Sequence, residues 1–396
     1  LILPFFLLSA LAPASKASQL PNSGVISWKN QDSLLNRILP FRHLAANNET
    51  TNSTTDCPGA PFLWIISEAD SGHDVGFAVG TAHLPPDIIM TDAAWVSIHN
   101  ALDDSCAVYG ELNMLDPETL EKLAACHAED DESDSIVVAD VPDAELRNGI
   151  TATINDIAVA QFPDSSEQAS SFAAILQDLP LYDLVQFIQF FNTPEYRDVF
   201  FTSLLAGDNP PVMDIEILEE GRPAGALEDV QTQCDLLDLY SPTKNEFLEN
   251  FSDVYGPQLR EELSFSLSRL IAEYRCGDLD DVTKVVLDSD TTSDDVNKAL
   301  LNDRNVQMAA KITEILQSSV QRPLFAVGLA HWMIGNKSLA ILLEEEGYLL
   351  ERVTETYEAH TMEDLTDQTC SGTPSAPYFV VCLFGGVTIL ATIMIF

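Results

Sequence analysis

The chain has 396 residues, with 62 Asp and Glu against 19 Lys and Arg, a formal net charge of −43. A surface that acidic repels phosphate, which argues against nucleic acid as a partner and against docking on anionic lipid through a basic patch. With 46% hydrophobic and 8% aromatic residues, the chain is not disordered throughout, and it is long enough to bury one large core or two smaller ones.

Residues 1–12 form an apolar stretch of signal-peptide length, too short to span a bilayer, and the small residues around Lys16 predict cleavage near Ala17. Residues 18–56 are polar and irregular and read as a solvated linker. An ordered domain is expected over 57–358. Residues 62–66 predict a buried strand, 70–74 a turn and 75–79 a second strand, together a hairpin. A helix is predicted over 87–102, a third strand over 107–109, and a helix opening at Pro117. Residues 129–145, dense in Asp and Glu, read as an exposed acidic loop. Residues 171–206 have helical spacing broken by Pro180 and Pro194. Residues 213–218 alternate apolar and acidic side chains and predict a strand. Long helices are predicted over 242–275 and 293–321, a late strand over 324–327, and a helix over 339–346 closed by Gly347. Strands alternating with helices imply an α/β fold with a mixed or mostly parallel sheet and helices around it.

Residues 359–375 read as a stalk. No charged residue follows Asp367, and residues 376–396 are apolar enough for a transmembrane helix or, with Ser371, Gly372 and Thr373 before them, for a lipid-anchor signal of the GPI type. Either anchor places residues 18–375 on the lumenal or extracellular side of the plasma membrane. Six cysteines outside this tail (Cys57, Cys106, Cys126, Cys234, Cys276 and Cys370) suit up to three disulfides in an oxidising compartment. Sequons at Asn48, Asn52, Asn250 and Asn336 are glycan acceptors there, the first two best placed.

The chemistry is carried by a repeat. Phe77-Ala78-Val79-Gly80-Thr81-Ala82-His83 recurs as Phe325-Ala326-Val327-Gly328-Leu329-Ala330-His331, differing at one position. Each copy puts Gly-x-x-His after an apolar strand and before a helix, predicting two pseudo-repeated halves. The glycine permits a close backbone approach, and the histidine then projects from the carboxyl edge of the sheet, where open α/β sheets place ligands. Neutral imidazole is the commonest metal ligand, so His83 and His331 are candidates for one shared centre. Glu111, at another strand exit, is a candidate metal ligand or general base. Glu228 in Leu227-Glu228-Asp229 is a similar carboxylate. Arg304, one of few basic groups, could polarise a carbonyl or pair with Glu111 or Glu228.

Gly-Thr-Ala-His, Gly-Glu-Leu-Asn-Met-Leu-Asp-Pro, Asp-Arg-Asn-Val-Gln-Met and Gly-Leu-Ala-His, in that order, resemble the TIKI branch of the TraB/PrgY/GumN superfamily over residues 60–355. The resemblance implies a membrane-anchored metalloprotease that uses two Gly-x-x-His motifs and a glutamate with a divalent metal, Mn or Co, with Zn left open. It also implies amino-terminal trimming of secreted Wnt ligands and hence negative regulation of Wnt signalling. On that reading His83, His331 and Glu111 are metal ligands, Glu111, Glu228 and Arg304 are catalytic, and Arg304-Asn305 is the family's late pair. Two positions depart from the pattern: Asn113 stands in place of an acidic residue, and Pro85-Pro86 stiffens the exit from His83. No HExxH, P-loop or Gly-x-Ser-x-Gly is present. The alternative is a non-catalytic cell-surface protein that binds a peptide or a metal.

Overall fold

A computed structural model of the chain describes residues 59–128, 136–179, 212–240, 259–288 and 298–359, with a few isolated positions beyond them. The readings of residues 1–56 and 360–396 as leader, linker, stalk and anchor, the sequons at 48, 52 and 250, and the helical pattern of 242–258 fall outside the described residues. Among the described residues no helix is long and apolar enough to cross a membrane.

A six-stranded mixed sheet forms the centre. Strand β1 (Leu63–Glu68) and β2 (Asp74–Thr81) make the expected antiparallel hairpin, turned at Gly72 with a φ of 66°. The others are β3 (Ala107–Gly110), β4 (Pro223–Ala226), β5 (Pro323–Gly328) and β6 (Tyr348–Arg352). Their order across the sheet is β4-β3-β5-β2-β1-β6, and only β1 runs against the rest. Phe77, Ala78 and Val79 of β2 and Leu324, Phe325 and Val327 of β5 are fully buried. Such unbroken apolar runs belong to strands covered on both faces, and this is why the two motif strands lie side by side at the middle of the sheet.

The covering helices are α1 (Pro86–Ile89), α2 (Asp92–Asp103), α3 (Pro117–Ala128), α4 (Ala144–Gln161), α5 (Ser166–Gln177), α6 (Met213–Glu220), α7 (Val230–Tyr240), α8 (Leu259–Cys276), α9 (Leu279–Asp288), α10 (Arg304–Leu316), α11 (Leu329–Met333) and α12 (Leu339–Glu345). Thr91 caps α2 by accepting from the Ala94 amide, and Gly347, at a φ of 89°, follows α12 as expected. Cys57 and Cys276 form a disulfide, and Cys106 and Cys234 are also disulfide-bonded.

Three expectations need correcting. Residues 213–218 are helical, not extended: Met213, Ile217 and Leu218 are the buried positions, a helical spacing that the acidic residues between them disguise as alternation. The acidic segment read as a loop to residue 145 already contains the start of α4, capped by Asp143. The two Gly-x-x-His units are neighbours but not equivalent halves. Phe77 is paired with Leu324, one residue out of step with the sequence repeat. His83 precedes its helix, whereas His331 lies within α11.

Candidate active site

Four parallel neighbours, β4, β3, β5 and β2, end at the same edge, and each delivers one predicted residue there: Glu228, Glu111, His331 and His83. This is the edge at which open α/β sheets bind ligands. Past the strand ends the pairing continues, with the Leu227 amide donating to Gly110 O and the Glu228 amide to Glu111 O, which sets the two glutamates side by side. The first turn of α10 then brings in Arg304 and Asn305.

Arg304 clamps both carboxylates. Its Nη2 donates to Glu111 Oε2 at 2.8 Å and to Glu228 Oε2 at 2.6 Å, and its Nε donates to Glu228 Oε1 at 2.8 Å. Gln233 Nε2 donates to Glu228 Oε2 at 2.7 Å. Side-chain exposure is 4% for Arg304 and 1% for Glu228, but 16% for Glu111. Burial alone would pull the Arg304 pKa down, but Glu111 and Glu228 more than offset this and keep the guanidinium charged. The remaining oxygen of Glu111, Oε1, accepts the Gly328 amide at 2.8 Å.

The two histidines are each gripped at Nδ1. Asn305 Nδ2 donates to two backbone carbonyls, those of His331 and Lys337, so Asn305 Oδ1 is the atom facing His331 Nδ1 at 2.6 Å. An amide oxygen only accepts; Nδ1 therefore carries the proton and Nε2 the lone pair. Burial first, then the charges of Arg304 and His83, push the His331 pKa well below its ordinary value, and the ring is neutral. Its Nε2 is buried without a hydrogen-bond partner and stands 3.8 Å from Glu111 Oε1. His83 Nδ1 is 2.5 Å from Asp214 Oδ2, on α6. Burial raises the Asp214 pKa, but the charge and hydrogen bond of His83 outweigh it, and the carboxylate is held below its usual range.

An unpartnered imidazole lone pair facing a carboxylate oxygen in a buried site suits a cation between them. The 3.8 Å gap between His331 Nε2 and Glu111 Oε1 is shorter than twice the ~2.1 Å bond that a metal such as zinc makes to nitrogen or oxygen. The local charge agrees: three carboxylates (Glu111, Glu228, Asp214) outnumber the one guanidinium and leave the site anionic even with His83 protonated against Asp214. The spacing of His331 Nε2 and Glu111 Oε1 thus suits two bonds to a divalent ion. Among the described residues, however, no three His, Cys, Asp or Glu side chains are gathered as a cage. Both oxygens of Glu111 are engaged by Arg304 and Gly328.

Trp332 joins the two motif strands: its Nε1–H is shared between Val79 O at 3.1 Å and Val327 O at 3.2 Å. Asp214, Gln233 and Trp332 were not singled out by sequence. Asp214 is 131 positions from His83, and misreading α6 as a strand hid it. Of the two departures noted, Asn113 accepts the Leu115 amide within its own turn, and Pro86 opens α1.

Residues 192–352 match the TraB/PrgY/gumN family model, a span that contains Asp214, Glu228, Arg304, Asn305 and His331 but not His83 or Glu111. The chain is 23% identical over 356 residues to "Metalloprotease TIKI2" of Danio rerio, covering 79% of this chain and 66% of that protein. It is 24% identical over 322 residues to "Metalloprotease TIKI1" of Danio rerio (73% and 62%), and 23% identical over 324 residues to "Metalloprotease TIKI homolog" of Nematostella vectensis (74% and 67%). The chain spans slightly less than two thirds of the two Danio rerio relatives. No solved structure matches it.

Proposed function

We propose that the chain is a TIKI-like member of the TraB/PrgY/gumN family, which its family-model match and its metalloprotease relatives support, and that it is a peptide hydrolase dependent on a divalent metal. The observation that carries the reading is the neutral His331, its Nε2 lone pair buried, unpartnered and turned towards the Glu111 carboxylate. Nε2 of His331, the ring nitrogen of His83 opposite Asp214, and Glu111 would hold the ion. Once bound, such an ion acidifies water and polarises a carbonyl.

The rest of the work falls to the protein. Asn305 and Asp214 hold the two rings at fixed orientation through their Nδ1 atoms. Glu111, the less buried of the two glutamates, would take a proton from water and hand it to the leaving amine where it is not itself a ligand of the ion. Glu228, nearly inaccessible and accepting three hydrogen bonds, serves as the counter-charge that fixes Arg304. Arg304 in turn orients Glu111 and supplies its counter-charge. Secreted polypeptides are the proposed substrate class, with Wnt amino termini the first to try, and the proposed location is the outer face of the plasma membrane. Family resemblance is the support for both.

The test is hydrolysis of a peptide library by the purified full chain, before and after chelation and with Mn, Co or Zn added back. Loss on chelation, recovery on add-back and no product from His331→Ala are expected. Metal-independent cleavage, or cleavage by His331→Ala at the wild-type rate, refutes the proposal. A second reading, metal binding without turnover, is favoured by the engagement of both Glu111 oxygens. It predicts saturable metal binding and no product under any condition.

A further inference from the structure

Resting on that reading, we propose that Asp214 is a positioning residue for the centre. It holds His83 in the tautomer and orientation that present Nε2, and it gives His83 an anionic partner where His331 has a neutral one. The structure gives the two rings unlike partners. His331 Nδ1–H donates to a neutral amide, Asn305 Oδ1, whereas His83 Nδ1–H faces an anion, Asp214 Oδ2, at 2.5 Å. A carboxylate behind an imidazole draws electron density through the ring and raises its donor strength. An amide fixes the ring without that effect.

The geometry supports a dedicated device. Asp214 lies in the first turn of α6, where an acidic side chain ordinarily serves its own helix end, yet here its carboxylate is turned to a loop 131 positions away. The helix is fastened to that loop: the Met213 amide donates to Leu84 O at 3.1 Å, immediately after His83. Tyr274, from α8, closes the arrangement. Its hydroxyl donates to Gly80 O, at the start of the same motif, and lies 3.5 Å from Met213 Sδ. Thus both ends of the Gly80–His83 turn are tied to the element that carries Asp214. Asp214 would act through His83, without touching the substrate.

The experiment is a titration of the purified full chain with Co²⁺, read by calorimetry and by ligand-field absorption, for the wild type and for Asp214→Asn, Asp214→Glu, His83→Ala and His331→Ala. We expect Asp214→Asn to weaken Co²⁺ binding by about 10–100-fold, to shift the absorption bands and to keep the wild-type thermal midpoint. Asp214→Glu should restore part of the affinity, and each histidine variant should bind no Co²⁺. Asp214→Asn binding within twofold of wild type, with both histidine variants silent, overturns the role of Asp214 and leaves the metal reading standing. Wild-type binding by His83→Ala or His331→Ala overturns both. Should Asp214→Asn fail to fold, ¹⁵N spectra of the wild-type chain decide: a proton on His83 Nδ1 with Co²⁺ perturbing Nε2 supports the proposal, and Co²⁺ at Nδ1 overturns it.

Discussion

Replacing Arg304 by Met removes the cation shared by Glu111 and Glu228 and keeps most of its volume. The structure sets the size of the effect. Arg304 makes three charged hydrogen bonds, at 2.6–2.8 Å, and its side chain and that of Glu228 are 4% and 1% exposed. Stripping one partner from a buried ionic group of this kind costs about 3–5 kcal/mol, most of it the penalty for the uncompensated carboxylate left behind. If so, removing that charge as well should return part of the loss. Arg304→Met/Glu228→Gln is expected to recover about 2 kcal/mol over Arg304→Met, although Glu228→Gln alone destabilises. The assay is guanidinium unfolding of the metal-free protein at neutral pH with disulfides intact, for the wild type, both single variants and the double. Additive single-variant costs, to within ~0.5 kcal/mol, would show that the triad is not the coupled unit described here.

Glu216, on α6, has its carboxyl pushed up to about 7, by burial first and then by Glu220, Asp87 and Glu219. Between about pH 4.5 and 7 the folded chain keeps a proton that the unfolded chain has released, so stability falls as pH rises through that window. Glu216→Gln should therefore stabilise by about 1 kcal/mol at pH 8, after allowance for solvent screening, and leave stability near pH 4 unchanged. Equal effects at both pH values in thermal unfolding would count against it. Tyr274→Phe removes the donor to Gly80 O and should cost about 1–2 kcal/mol in the same unfolding assay; no loss would mean that the hydroxyl is not anchoring the motif. Gly277 ends α8 with a φ of 75°, and a Cβ there would sit 2.1 Å from Ala60 O. Gly277→Ala should therefore cost at least ~2 kcal/mol, and a wild-type midpoint would refute the close approach.

The placement of much of the candidate site at one sheet edge could be read from residue order because the motifs sit at strand exits. His83, Glu111 and His331 follow apolar runs whose burial is legible, and a strand's end fixes which way the next residue projects. Arg304 was legible as a rare cation among acids. What could not be read were pairings made by tertiary packing. Nothing in residues 213–218 distinguishes a strand from a short helix with an acidic first turn. Nor does any local pattern tie Asp214 to His83. Strand β4, Pro-Ala-Gly-Ala, has the composition of a turn and is extended only because β3 offers it partners. The same limit applied to the repeat: identity of Phe77–His83 with Phe325–His331 implied matched halves, yet the pairing runs one residue out of step.

The indole of Trp332 has a mechanical consequence. One N–H held by carbonyls on two adjacent strands acts as a rivet, so the strand ends that lead to His83 and His331 are tied to each other through Val79 and Val327. On the proposed reading, adjustment to different substrates would then fall to the surrounding loops, such as the turn after Glu111. Selectivity could then diverge there while the two motif strands keep their spacing.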